Sequence, residues 1–494
     1  MSKKQIKSKK RVRDFGEVYT QDREVKAMLD LVKNLSYDIN AKFLEPACGD
    51  GNFLIEILKR KMQSLDKENG AQYKKDLLIT VSSIYAVDIL QDNINESISR
   101  LYNHIEKDYI DTFKDDIDDD ILLSVKEILN NNIICGDTLT MLKSNGEPIV
   151  FDMKFDVIIG NPPYQMNLGL EGGNKTLSKA IYHQFVEMAQ KLEPKYITMI
   201  IPSRWMTKTA QGIPKAWVDN QIQSNKYKVI HDYENARDCF PTVDIGGGVN
   251  YFLWDRDYNG KCNYSYHRKN GEIISRYNYL DDKEAGTVIR DPFDYDVISK
   301  IEEVEGTYYN EENNMSCIIS PKSFFNNSNT LTSNWRGYEL EESEENSVKY
   351  YVSSQHKTPY GYIKLSDIPK NAEIRFKHKV LITAGYGGRS DPNVLGKPFY
   401  SEPNSVCSQT FLIIGYNKDY TKEECENIIS YIKTKFFRYL VSIKKKTLSG
   451  PRGVYQFVPM QDFSKPWTDE ELYEKYGLSQ EEINYIEENI KPRK

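Results

Sequence analysis

The sequence is poor in the residues that hold disulfides and metals. Its seven cysteines (Cys48, Cys135, Cys239, Cys262, Cys317, Cys407 and Cys425) are odd in number, scattered and never spaced C-x-x-C. That pattern is neither a disulfide framework nor a thiolate zinc site. Only six histidines occur, and no structural metal is expected. No apolar run approaches the roughly 20 residues of a membrane span, so no membrane partner is expected. The N-terminus, MSKKQIKSKKRVRDF, is basic with no apolar stretch behind it, unlike a secretory signal, and a cytoplasmic location is the expectation. Neither G-x-G-x-x-G nor G-x-x-x-x-G-K-[ST] is present, so dinucleotide and P-loop readings lack support.

What is there suits a globular protein of two or three domains: 494 residues, 39% hydrophobic and 28% charged. The net charge of −6 argues against a generic polyanion binder, but basic residues cluster at Lys3 to Arg13 and at Lys444, Lys445 and Lys446. Asp115, Asp116, Asp118, Asp119 and Asp120 read as a solvated helix edge. The first half alternates short apolar runs with amphipathic stretches, the pattern of a doubly wound α/β sheet. Strands are expected at Lys42–Leu44, Ile84–Val87, Asn132–Cys135, Phe155–Ile159 and Tyr196–Ile201, with Val249–Trp254 as the last of the sheet. Helices are expected at Phe53–Leu58, Ala180–Leu192 and, as one long element, Lys422 to about Lys446. Several of these strands end in polar or glycine-bearing loops, where ligands sit in open α/β sheets.

Asn161-Pro162-Pro163-Tyr164 follows the fourth strand. An aromatic amine is a poor nucleophile because its lone pair is delocalised into the ring. Acceptors aimed at its two N–H bonds localise that pair and stabilise the charge that develops during attack. The Asn161 side-chain carbonyl and the Pro162 backbone carbonyl can supply both. Consecutive prolines hold the loop before substrate arrives, and Tyr164 offers a flat face for a planar base. Glu45 through Phe53 links a strand to a helix through Gly49 and Gly51, which allow close backbone approach. Asp88 and Asp137 end the next two strands, where a carboxylate can accept ribose hydroxyls or an adenine amine.

With these motifs the chain resembles the adenine-N6 DNA methyltransferases of type II restriction-modification systems whose target-recognition domain lies C-terminal. Gly16-Glu17-Val18-Tyr19-Thr20 looks like their N-terminal cofactor motif, and Asn161 through Tyr164 matches their catalytic one. The resemblance implies S-adenosylmethionine as cofactor, bound by Tyr19, Thr20, Glu45, Pro46, Ala47, Cys48, Gly49, Gly51, Asp88, Ile89, Asp137, Thr138 and Asn161. Asn161, Pro162, Pro163 and Tyr164 would be catalytic, with Phe240 sandwiching a flipped adenine against Tyr164. It further implies a Rossmann-like methyltransferase fold, with a mixed, mostly parallel sheet over residues 1–265. An α+β target-recognition domain would occupy residues 266–494.

Double-stranded DNA is the partner so implied, with a separately encoded restriction endonuclease beside it or the methylase acting alone. Arg204, Lys377, Arg389, Arg438, Lys444, Lys445, Lys446 and Arg452 are the candidate DNA contacts, with Arg389 and Arg452 as the base readers because arginine pairs bidentately with guanine. A methyltransferase of the same tetrapeptide acting on RNA or on a protein glutamine stays open, because an amide nitrogen poses the same lone-pair problem.

Overall fold

The computed structural model describes residues 7, 8, 11, 17–114, 117–167, 178–208, 210, 212–243, 245–310, 313–353, 359–386, 391, 393–445 and 448–493. The chain divides into two compact units. One is Met1–Asp282 with Gly286–Val288, the other Lys283–Ala285 with Ile289–Lys494.

The first unit opens with helices α1 (Asp22–Asp30) and α2 (Lys33–Tyr37), then strand β1 (Phe43–Glu45), α3 (Asn52–Met62) and α4 (Gly70–Ser82). It continues through β2 (Ile84–Asp88), α5 (Gln91–Phe113), α6 (Asp119–Asn132), β3 (Ile133–Asp137), β4 (Leu142–Lys143) and β5 (Val157–Gly160). After a small hairpin, β6 (Gln165–Asn167) with β7 (Ser178–Ala180), come α7 (Tyr182–Lys191), β8 (Tyr196–Pro202), α8 (Lys215–Gln223), β9 (Tyr227–Tyr233) and β10 (Val249–Asp255). The last strands are β11 (Cys262–His267) and β12 (Ile273–Asn278).

Ten of these strands form one sheet, ordered β12-β11-β9-β10-β8-β5-β1-β2-β3-β4. Pairing is parallel from β8 through β5, β1 and β2 to β3, and again between β9 and β11. β10 runs antiparallel to both of its neighbours. The mixed, mostly parallel α/β sheet expected from sequence is therefore the one observed. From β1 the chain steps outward to β2 and β3, then crosses to β5 on the other side. The sheet thus has a switch point between β1 and β5, where a crevice opens beyond the strand ends.

The interior strands β5 and β10 are buried at every position, as covered strands must be. One face packs on Phe53, Leu54, Ile57, Tyr73, Leu77 and Leu101, the other on Phe185, Val186, Trp205 and Trp217. β10 is not the last strand: β11 and β12 extend the sheet past residue 265, where the domain boundary was expected.

Among the described residues, the second unit holds α9 (Pro292–Glu305), six short strands and four more helices. The strands are β13 (Val348–Tyr351), β14 (Tyr360–Ile363), β15 (Lys379–Thr383), β16 (Phe399–Ser401), β17 (Ser405–Cys407) and β18 (Phe411–Ile414), arranged β14-β13-β17 and β16-β15-β18. The long helix expected from Lys422 is two, α10 (Lys422–Lys433) and α11 (Lys435–Lys444), followed by α12 (Asp469–Lys475) and α13 (Gln480–Asn489). Thr434 breaks the run: its ψ of 150° is extended, and its hydroxyl accepts the Phe437 N–H as an N-cap. Asp118 likewise caps α6, so the described part of the acidic run is the solvated helix start that was expected, with Asp115 and Asp116 outside the described residues.

Candidate active site

β1, β2, β3 and β5 lie side by side and end at Glu45, Asp88, Asp137 and Gly160. Their loops enclose a cavity of about 300 Å³. Of the cofactor residues expected from sequence, Tyr19, Thr20, Glu45, Pro46, Ala47, Cys48, Gly49, Asp88, Ile89, Asp137, Thr138 and Asn161 all line it. Gly51 does not. It caps α3 with φ +79°, and a Cβ there would meet the Ser97 hydroxyl at 2.8 Å, so its glycine is demanded by the turn. Gly49, with φ +53°, does face the cavity, and a Cβ there would stand 3.1 Å from the Tyr19 ring. Glu17, Asp50 and Asn93 also line the cavity but were not assigned to it from sequence. Glu17 had a signal, standing one residue inside the N-terminal motif.

Charge in the cavity is negative and confined. Glu45 is 2% exposed, and its Oε2 is buried without a hydrogen-bond partner. Burial first, then Asp50 and Asp88, push its carboxyl well above the usual range. Asp88 Oδ2 accepts the Gly49 N–H at 2.8 Å, while Oδ1 accepts the Leu90 N–H at 2.9 Å and Asn93 Nδ2 at 3.1 Å. Burial outweighs those donors and raises Asp88 to about 6. Asp137 is held by the Leu139 N–H at 2.9 Å, and the Thr138 hydroxyl donates to the Pro46 carbonyl at 2.6 Å. The Cys48 thiol is buried and its pKa driven well upward, which leaves it inert as a nucleophile.

Asn161 lines this crevice. Its Nδ2 donates to the Val18 carbonyl at 2.9 Å, which turns Oδ1 away as a free acceptor. The Tyr164 carbonyl accepts the Ile181 N–H at 3.1 Å, closing the loop at its far end. Pro162 is buried and Pro163 lines the cavity. The Tyr164 ring meets Tyr182 and Phe240 edge-on, each at 6.4 Å, with interplanar angles of 81° and 78°. Phe240 is fully buried in the core beneath. Tyr164 and Phe240, the two rings expected to flank a flipped base, thus stand in edge contact with each other.

The candidate DNA contacts scatter. Arg204 is half-buried on the turn Ser203–Thr207, with burial lowering its guanidinium and Tyr182 opposing that. Lys377 pairs with Asp419 at 3.0 Å. Lys445 donates to the Tyr386 carbonyl at 2.7 Å, and burial lowers it to about 8. Arg452 is exposed. Arg438 and Lys444 are corrections. Arg438 is fully buried, with Nε donating to the Thr434 carbonyl. Lys444 is 7% exposed and donates to Gln456 at 2.6 Å, over the Phe457 ring. Both sit on the inner face of amphipathic α11, from which neither reaches a surface. Arg389 and Lys446 lie outside the described residues.

Among the described residues no group of His, Cys, Asp or Glu could hold a metal ion, and no helix is long and apolar enough to cross a membrane. In comparison with known proteins, residues 62–240 match the Eco57I restriction-modification methylase family. A protein of Mycoplasma pneumoniae described as an uncharacterized adenine-specific methylase is 46% identical over 109 residues. That stretch is 22% of this chain and 25% of the relative, so the chain spans about a quarter of the curated protein it matches. Among solved structures, the DrdV–DNA complex aligns at TM-score 0.48 and 11% identity, over 97% of this chain and 58% of that one. The Type IIL restriction-modification enzyme MmeI in complex with DNA aligns at 0.44 and 12%, over 91% and 68%. The matched segment runs from the end of α3 through β5 and the Asn161–Tyr164 loop to Phe240. Residues 62–240, which carry the Asn161–Tyr164 loop, are thus similar to the Eco57I restriction-modification methylase family, in line with the resemblance read from the sequence.

Proposed function

We propose that the protein is an adenine-N6 DNA methyltransferase that takes its methyl group from S-adenosylmethionine, within a restriction-modification system or as a solitary methylase. The observation that carries this reading is the fixed orientation of Asn161. With one Nδ2 hydrogen donated to Val18, the amide is oriented so that Oδ1 is left as an acceptor, and an acceptor is what an incoming amine requires. The family match over residues 62–240 and the description of the Mycoplasma pneumoniae relative as an adenine-specific methylase point to the same chemistry.

The cavity suits the cofactor. Glu45 Oε2 and Glu17 Oε2 are buried acceptors without donors, and a ligand bearing an ammonium and hydroxyls would satisfy both. Bound there, S-adenosylmethionine supplies an electrophilic methyl on a sulfonium. The protein's own part is to receive and orient the amine. Asn161 Oδ1 and the Pro162 carbonyl accept the two N–H bonds, and the prolines hold both acceptors in place beforehand. Tyr164 presents its ring to the base, which has to leave the duplex to reach it, at a cost of a few kcal/mol. For the base to be sandwiched, Tyr164 would swing away from Phe240. The buried, unpartnered Tyr164 hydroxyl places no hydrogen bond in the way of that rotation. The second unit would read sequence, with Arg452 and Lys377 as its candidate cations.

The test is expression in a host lacking adenine methylation, followed by modification-sensitive sequencing of genomic DNA. N6-methyladenine confined to one short motif, absent with Asn161→Ala, is the expected result. Unmarked DNA despite folded protein would sink the reading and favour an RNA or protein-glutamine substrate.

A further inference from the structure

Glu17 lines the cavity, and its side chain is only 7% exposed. Its Oε1 is fully engaged, accepting from Tyr19 Oη at 3.0 Å, Asn93 Nδ2 at 2.8 Å and Arg11 Nη1 at 3.4 Å. Its Oε2 is buried and has no partner. A buried carboxylate oxygen without a donor is costly, so it is kept for something that arrives.

What arrives is indicated by the neighbour. Asn93 Nδ2 donates to Glu17 Oε1 and also to Asp88 Oδ1, at 3.1 Å. One amide therefore pins two carboxylates side by side. Each retains acceptor capacity, Glu17 through Oε2 and Asp88 through Oδ2, whose one partner is the Gly49 N–H. Arg11 supplies positive charge on the outer side of Glu17 while its other nitrogen holds Asp92 at 2.5 Å. Two carboxylates tied to one amide, each with an oxygen in reserve, suit a ligand that brings two O–H donors on adjacent carbons.

We propose that Glu17 accepts a hydrogen bond from one of the two ribose hydroxyls of the cofactor while Asp88 accepts from the other. The inference rests on the cofactor reading above and extends it to a binding residue in the segment before α1. It makes the vicinal diol a specificity determinant read from two sides.

The experiment is calorimetric binding of S-adenosylmethionine and of its 2′-deoxy and 3′-deoxy analogues to the full chain and to Glu17→Ala. Wild type should lose about tenfold or more with either analogue, the worth of a hydrogen bond to a charged group. Glu17→Ala should bind S-adenosylmethionine about tenfold more weakly, and removing the hydroxyl that faces position 17 should then cost less than about twofold. If Glu17 merely props Tyr19 and Asn93, the variant would weaken all three ligands by the same factor, which overturns the proposal. Should Glu17→Ala fail to fold, Glu17→Gln, which keeps the size and loses the charge, should show the same pattern at smaller amplitude. Wild type that binds no S-adenosylmethionine at high micromolar concentration would overturn the cofactor reading and this inference together. Equal deoxy penalties in wild type and variant would overturn the inference alone.

Discussion

The side-chain amide of Asn161 is held by the carbonyl of Val18, 143 residues earlier in the chain, so the free oxygen is oriented by a segment that itself lines the cavity. Because the tie runs through the Val18 backbone, substitutions at Asn161 should separate chemistry from binding. Asn161→Ala should lower methyl transfer to DNA by about 10²–10³, the usual cost of one preorganised polar group at a reacting centre. Binding of S-adenosylmethionine should stay within a few-fold. Transfer of labelled methyl to plasmid DNA, beside calorimetric binding, checks both. A variant that lost binding in proportion to activity would show Asn161 to be a cofactor residue only.

The two glycines of the loop after β1 should fail in different ways. Both have positive φ, so any side chain is strained there. Gly49→Ala also drives a methyl against the Tyr19 ring at 3.1 Å, on the cavity side. It should cost tenfold or more in S-adenosylmethionine affinity, with a destabilisation of about 1–2 kcal/mol. Gly51→Ala meets Ser97 instead, away from the cavity, and should lower Tm while leaving affinity in the folded fraction nearly unchanged. Thermal melts with and without ligand distinguish the two.

The strands that build this site were legible because their apolar runs stop abruptly at Glu45, Asp88, Asp137 and Gly160, where polarity changes within one residue. β11 was missed although Cys262, Tyr264 and Tyr266 alternate with Asn263, Ser265 and His267. That alternation is carried by tyrosine and cysteine rather than by Val and Ile, and its parallel partner β9 is distant in sequence. The break at Thr434 also depends on remote groups: the Asp469 carboxylate accepts the Lys435 and Phe436 N–H groups that open α11. Arg438 and Lys444 misled for the opposite reason. Basic residues suggest a surface, yet the helix phase that buries Phe436, Phe437 and Leu440 carries these two inward as well. Glu17 could be named from its motif, but its free oxygen exists only once Asn93 and Tyr19 are in place.

Acid should weaken cofactor binding without unfolding the site. Asp88 titrates at about 6 in the folded protein, raised from an ordinary value of 3.8 by burial. A carboxyl raised on folding binds more protons in the native than in the unfolded chain between those values. Its contribution to stability therefore improves as pH falls through 6 and is worst above it. Ligand affinity moves the other way, because accepting ribose hydroxyls requires the carboxylate. Calorimetry at pH 7, 6 and 5 should show S-adenosylmethionine affinity falling toward tenfold per unit below 6. Asp88→Asn should bind weakly at pH 7 and show a shallower dependence. A wild-type affinity that is flat across this range would remove Asp88 from direct contact.

Arg438 and Arg452 should answer to different measurements. Arg438 is buried with Nη1 and Nη2 unpartnered, and burial, helped by the like charge of Arg493, lowers it to about 10. A buried cation so placed gains little from its charge, and replacing it with an apolar side chain of similar length is often neutral or stabilising. Arg438→Met should therefore melt no lower than wild type and leave DNA affinity unchanged. Arg452 is exposed, so Arg452→Ala should leave Tm alone. If it contacts a phosphate, DNA binding should weaken across all sequences and the slope of log K against log salt should shrink by about one. If it reads a guanine, the loss should be about 1–3 kcal/mol and confined to the cognate site, so specific and non-specific duplexes titrated over a salt series assign its role. Equal affinity of wild type and Arg452→Ala for both duplexes at every salt concentration would remove Arg452 from the interface.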